Sequence, residues 1–193
     1  MKAIFQLIIL IFLSTNVISY SQNDPCNCIP KRGKAPYRLN AKTEKNYENY
    51  HTKKKSITPE TMRTWEERYA DRTKRDIDKN AERLKKTPED TVYTLNGYIY
   101  KIIKEIDCDY HIILGGENPS DQKAEIEVTI ENCDLQKKIM QYMSNHNLHF
   151  NREFGEPVKC QVKGLGFYDG QHGVKKLTGT AWELHPVKSL KFE

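Results

Sequence analysis

Only one stretch of the 193-residue sequence is continuously rich in aliphatic and aromatic residues, and it is too short to cross a bilayer. It runs from Ala3 to Leu13, broken by Gln6, where a membrane-spanning helix needs about 20 apolar residues. Lys2 precedes it and Ser14, Thr15, Ser19 and Ser21 follow, the pattern of a cleavable secretory signal over residues 1–21, cut after Ser19 or Ser21. No transmembrane helix is then expected in the mature chain. Asn23-Asp24-Pro25 before Cys26 lacks the small residues of a lipoprotein signal, which disfavours a lipid anchor. Internal repeats are absent, as is a tight metal spacing such as His-Glu-x-x-His. Arg152 is the only arginine after Arg83, so the carboxylate-and-arginine set of a staphylococcal-type nuclease has no equivalent.

Cysteine is scarce but informative. The five are Cys26, Cys28, Cys108, Cys133 and Cys160. In an oxidising compartment they are disulfide candidates, and an odd count leaves one unpaired or intermolecular. Cys26-x-Cys28 has no second pair or histidine tract nearby, so it does not read as a zinc site.

Charge is unevenly distributed. Residues 31–86 hold 18 Lys and Arg against 9 Asp and Glu, whereas residues 87–193 hold 12 against 16. A basic arm therefore precedes a mildly acidic body, and a polyanionic partner would meet the arm, residues 31–86, first. Residues 22–57 carry few aliphatics and include Lys53-Lys54-Lys55, a composition that buries too little apolar surface to fold alone and reads as a basic flexible linker. Residues 58–87 read as an amphipathic helix, with Thr58 as N-cap, Pro59 at its first position and Met62, Trp65, Tyr69, Ile77, Ala81 and Leu84 at roughly helical spacing.

From residue 88 onwards the period becomes two. Val92–Ile106 reads as one long strand bent at Gly97, with a hairpin at Asn96-Gly97 as the alternative. Cys108–Leu114 and Ala124–Ile130 are the next strands, separated by the turn GGENPSDQ. A helix opens at Asp134 and carries Leu135, Ile139, Tyr142, Met143 and His146 at helical spacing. Val158–Tyr168 and Ala181–Lys188 complete five strands. The order β-β-β-α-β-β with a long bent first strand is that of an OB-fold-like barrel over residues 88–193, a mainly β class, with an α+β sandwich as the rival. If the second and third strands form a hairpin, Cys108 and Cys133 lie close enough to be a disulfide pair, leaving Cys160 for Cys26 or Cys28.

The stretches DCDYHIIL (107–114), GLGFYDGQHG (164–173) and WELHPV (182–187) resemble a group of uncharacterised bacterial secreted proteins. That group carries D-x-D-x-H, then G-x-G-F-x-D with a following H-G, then E-L-H-P-V. The similarity covers about Thr91 to Phe192 and leaves out the arm and its helix. It implies where a site lies and does not imply a reaction. Relatives often have a longer, asparagine-containing stretch before the last motif, which this chain lacks.

In the expected barrel the 1–2 and 4–5 loops share one pole. Asp107, Asp109 and His111 lie at the first, Asp169 and His172 in the second, and Glu183 and His185 open the strand leaving it. The ligand-binding candidates are therefore Asp109, His111, Asp169, His172, Glu183 and His185. A divalent metal ion is the cofactor such donors take, with His111, His172 and His185 as its ligands. Catalytic candidates are Asp109, Glu183 and His185, since a histidine beside a carboxylate is a usable general base. A network that only locks the strand crossing is the plainer reading of the same residues. Tyr98, Tyr100, Tyr110 and Phe167 are stacking candidates in a polymer-binding reading. Three functions follow: a secreted or periplasmic OB-fold binding module for nucleic acid or another polymer; a metal-dependent hydrolase of the nuclease or phosphodiesterase kind; and an envelope interaction protein whose polar cluster is structural.

Overall fold

The computed structural model of the chain describes residues 24–29, 45–52, 56–65, 86–169 and 178–193. Six strands and two α-helices lie in that set: β1 (His51–Thr52), α1 (Pro59–Arg63), β2 (Thr91–Lys104), β3 (Tyr110–Gly115), β4 (Ala124–Val128), α2 (Cys133–Asn145), β5 (Glu153–Tyr168) and β6 (Trp182–Phe192). The strand order is β1-β2-β3-β4-β6-β5, and β2 also pairs with β5. Strands β2 to β6 thus close a five-stranded barrel, with β1 added alongside β2. β4 and β6 run parallel and the other barrel pairs are antiparallel. This is an OB-fold-like barrel, with α2 between its third and fourth strands.

Closure depends on the length of β2. Its Val92–Ile99 portion pairs with β5, and Tyr98–Lys104 pairs with β3, with a register shift between Ile99 and Lys101. β2 is one continuous strand, as expected, and no hairpin forms at Asn96-Gly97. Gly97 serves close approach: a Cβ there would lie 2.9 Å from the carbonyl oxygen of Gly115 and 3.4 Å from Pro59. The irregularity lies two to four residues later than expected.

Alternation sorts the side chains. Tyr110, Ile112 and Leu114 on β3, Ile126 and Val128 on β4, and Trp182 and Leu184 on β6 enter one buried core with Leu95, Ile99 and Ile102 of β2. Leu135, Ile139 and Met143 of α2 join the same core. Tyr142 instead stacks on Phe192, with ring centroids 3.8 Å apart and 7° between the planes. Pro186 interrupts pairing without ending the strand: the β5–β6 register shifts around Gly164 and Gly166, and β6 continues to Phe192.

Parts of the region before residue 88 also pack on the barrel. Ile57 bridges to β2, its N–H donating to the Thr94 carbonyl and its carbonyl accepting from the Asn96 N–H, and Met62 is fully buried. Trp65 meets Tyr93 at 4.5 Å and Trp182 edge-on at 5.5 Å between ring centroids. Of the helix expected over 58–87, Pro59–Arg63 is helical and is capped at Thr64, with Trp65 in a bend; residues 66–85 lie outside the described residues, as do the expected signal peptide (1–21), Lys53–Lys55 and His172.

The disulfides correct the expected pairing. Cys26 is bonded to Cys133 and Cys28 to Cys108, with Cα atoms 5.0 and 6.1 Å apart, and Cys160 is a free, buried thiol. Cys108 and Cys133 do meet at one end of the barrel, where Gln136 in the first turns of α2 donates to the Cys108 carbonyl at 3.0 Å. A short 3-10 turn at Pro25–Asn27, held by Asp24 accepting from the Cys26 N–H at 3.0 Å, brings Cys26 and Cys28 there together. Cys108 and Cys133 are each taken by an N-terminal cysteine, so they do not bond to each other.

Candidate metal centre

The barrel face formed by β3, β4 and β6 is polar on the side away from the core. Alternation sets His111 on β3, Glu125 and Glu127 on β4, and Glu183 and His185 on β6 opposite the core residues between them. The registers bring these positions together: His111 pairs directly with Glu127, and Glu125 with Glu183. Despite facing away from the core, Glu125, Glu127, Glu183 and His185 are almost completely buried, and His111 is 19% exposed.

Glu127 is the hub. Its Oε2 lies 2.7 Å from His185 Nδ1, and Glu183 Oε1 lies 2.8 Å from the same nitrogen. Its Oε1 lies 3.7 Å from His111 Nε2, while His111 Nδ1 contacts Glu125 Oε1. Asp109 shares a hydrogen bond with Glu127 and accepts the Ile130 N–H at 2.8 Å. Asp169 is buried at the end of β5, its N–H donating to Ala181 O at 2.9 Å, and its charge acts on Glu183.

So many acids in one dry site alter one another. Burial pushes the Asp109 carboxyl up to about 8, helped by the charge of Glu127, the hydrogen bond with it and the charge of Asp107, and opposed by the Ile130 N–H. Glu183 rises to about 7, chiefly by burial; the His185 hydrogen bond and charge oppose this, and the charges of Glu127 and Asp169 add to it. Burial works against a charged His111, yet the carboxylates of Glu125 and Glu127 override it and hold its pKa up at about 12.

Asp109, His111, Asp169, Glu183 and His185 therefore converge, while His172 lies outside the described residues. Asp107 sits in the turn before β3, its Oδ1 3.4 Å from the Asp109 N–H. Reasoning from the sequence missed Glu125 and Glu127. The signal was present in AEIEV, whose two glutamates alternate with core residues on the strand that an OB topology places between those of His111 and His185. Two stacking candidates are corrected: Tyr110 and Phe167 are fully buried, Tyr110 against Phe150 at 4.9 Å and Phe167 against His185 at 5.3 Å. Tyr100 is covered by Lys123, whose Nζ lies 3.2 Å from the ring centroid.

His185 Nδ1, Glu127 Oε2 and Glu183 Oε1 form a ligand set of one imidazole nitrogen and two carboxylate oxygens from two strands. Two carboxylate oxygens face one nitrogen, which carries at most one proton to share between them. Chemically the set suits a borderline divalent ion such as zinc or manganese. An imidazole ligand disfavours calcium and magnesium, which prefer all-oxygen shells. No family model matches the chain, and no curated protein matches it.

Proposed function

We propose that the protein is a secreted or periplasmic binding module of OB-fold type that holds a divalent transition-metal ion between Glu127, Glu183 and His185. The observation that carries this is the convergence of three buried ligand atoms, with both carboxylate oxygens within 2.8 Å of His185 Nδ1. Asp109, Glu125, Glu127, Asp169 and Glu183 place five acids beside two imidazoles in a site with little access to water. Even with both imidazoles charged, negative charge is in excess, and burying it requires protons or a cation. The face itself supports a ligand site, since OB-folds bind on the second and third barrel strands, here β3 and β4. Two disulfides support an oxidising compartment. Among the described residues no helix is long and apolar enough to cross a membrane.

The basic arm of residues 31–86 is the part of the molecule suited to a polyanion, because the metal-binding face is acidic. A hydrolase using the same ion is a second reading, with Asp109, which lies outside the three-ligand set and is hydrogen-bonded to Glu127, as the general base. Metal analysis of protein purified without chelator or affinity tag, repeated on His185→Ala, tests the reading. Bound metal in the wild type and its loss in a folded variant support it. Metal-free wild type that takes up no divalent ion, with variants that lose only stability, leaves the cluster a structural network.

A further inference from the structure

Residues 129–132, which follow β4, and residues 186–188 of β6 border a cleft of about 240 Å³, which Lys45 and Tyr47 of the arm complete. None of the three proposed metal ligands lines it. We infer that this cleft seats one phosphate group of a single-stranded nucleic acid, held by Lys45, Lys188 and the Thr129 hydroxyl. Two ammonium groups, one from the arm and one from β6, face a single lining acid, Glu131. Lys188 Nζ stands 4.9 Å over the Tyr47 ring, a cation–π contact that holds its charge beside the cleft. Thr129 is 4% exposed, and among the described residues its hydroxyl has no hydrogen-bond partner. That is an unusual state for a buried polar group, and a phosphate oxygen in the cleft relieves it. Asn132 Nδ2 donates to the Val187 carbonyl at 3.0 Å, which ties the two barrel walls together before a ligand arrives.

Size and charge narrow the ligand. Sites that enclose drug-sized molecules run to about 300–1,000 Å³, so this cleft takes a single group and leaves the rest of the strand outside. Lysines bind phosphate as point charges, whereas a carboxylate is matched by the planar fork of arginine, and no arginine lines the cleft. Among the described residues neither Lys45 nor Lys188 has an ion-pair partner. A larger cleft of about 630 Å³ beside α2 also offers a cation, Lys137, but Asp24 lies 3.4 Å from it. The arm that supplies Lys45 holds 18 Lys and Arg against 9 Asp and Glu over residues 31–86, so neighbouring phosphates of the same strand find further cations. A lipid surface would need apolar side chains to insert. The large exposed hydrophobics among the described residues, Ile29 and Ile106, do not line the cleft.

Fluorescence anisotropy of a labelled single-stranded oligonucleotide, titrated with the full chain in chelator-containing buffer across a salt series, tests this. Lys45→Ala and Lys188→Ala should each reduce the slope of log affinity against log salt by about 0.7, the share of one neutralised single-strand phosphate. Lys191→Ala, exposed on β6 outside the cleft, should keep the wild-type slope. Thr129→Val keeps the shape and should weaken binding about tenfold. Glu131→Gln removes the repelling charge and should tighten binding, which a purely structural role of the cleft would not produce. An equal drop in all three lysine variants, or in none, overturns the cleft as the contact. A folded wild type that binds phosphatidylglycerol vesicles but not the oligonucleotide overturns the strand as its ligand, and so does one that binds neither.

Discussion

Glu127 lies 2.7 Å from His185 through one carboxylate oxygen and 3.7 Å from His111 through the other. A single β4 side chain thereby joins β3 to β6 across the barrel face. Its loss should be felt on both sides. Glu127→Gln keeps the shape but halves the ligand capacity of the hub, so metal affinity should fall by at least about tenfold. The variant should still fold, which circular dichroism and an unchanged disulfide map would establish.

The metal-free protein should lose stability as pH rises. Asp109 at about 8, Glu183 at about 7 and His111 at about 12 all hold their protons more tightly than their ordinary values of 3.8, 4.5 and 6.5. The folded state therefore binds more protons than the unfolded chain. Stability then falls from about pH 4 towards pH 8 through the carboxyls, and above about pH 6.5 through His111. Thermal melts of stripped protein from about pH 5 to about pH 8.5 should show a falling Tm, with a shallower slope in Asp109→Asn. A Tm that rises across this window contradicts the assignment. Metal binding requires deprotonated ligands, so added metal should stabilise more at the alkaline end.

Non-reducing peptide mapping should recover Cys26 joined to Cys133 and Cys28 joined to Cys108, with Cys160 alkylated only after unfolding. These bonds span 107 and 80 residues of chain. Serine at Cys28 should cost about 2–5 kcal/mol in denaturant titration. A Cys108–Cys133 peptide would refute the pairing.

Trp182 is fully buried and packs edge-on against Trp65 at 5.5 Å and Tyr168 at 5.1 Å. Trp182→Ala should cost about 3–5 kcal/mol in urea unfolding, since it removes the largest fully buried side chain. A loss below about 1 kcal/mol would contradict the burial of Trp182 in the core.

What the sequence made legible follows from periodicity. Trp182 and Leu184 alternate with Glu183 and His185, and that alone assigns core and outer faces. The helix between the third and fourth strands gave the topology. Glu125 and Glu127 stayed hidden because AEIEV reads equally well as a strand with one wet face. Their burial depends on β4 lying between β3 and β6, a non-local pairing that composition does not encode. The disulfide partners were hidden for a similar reason. Cys108 and Cys133 are brought together by the hairpin, but which thiol each meets depends on where the turn at Pro25–Asn27 docks. The bend in β2 lies at Ile99–Lys101, beyond Gly97, because Gly97 is used for contact with Gly115 and Pro59.

The charge division carries its own test. Retention of a fluorescent single-stranded oligonucleotide should weaken steeply with salt for the full chain, and the slope should shrink in a Lys53→Ala, Lys54→Ala, Lys55→Ala variant. Equal slopes would remove the arm as the contact.

Zinc titration of the chelator-stripped protein, compared with Glu183→Gln and His185→Ala, tests the central claim most directly. Saturable binding by the wild type, weakened at least about 100-fold in both folded variants, is the predicted result. Equal affinity in all three, or no binding by a folded wild type, would contradict a metal centre at Glu127, Glu183 and His185.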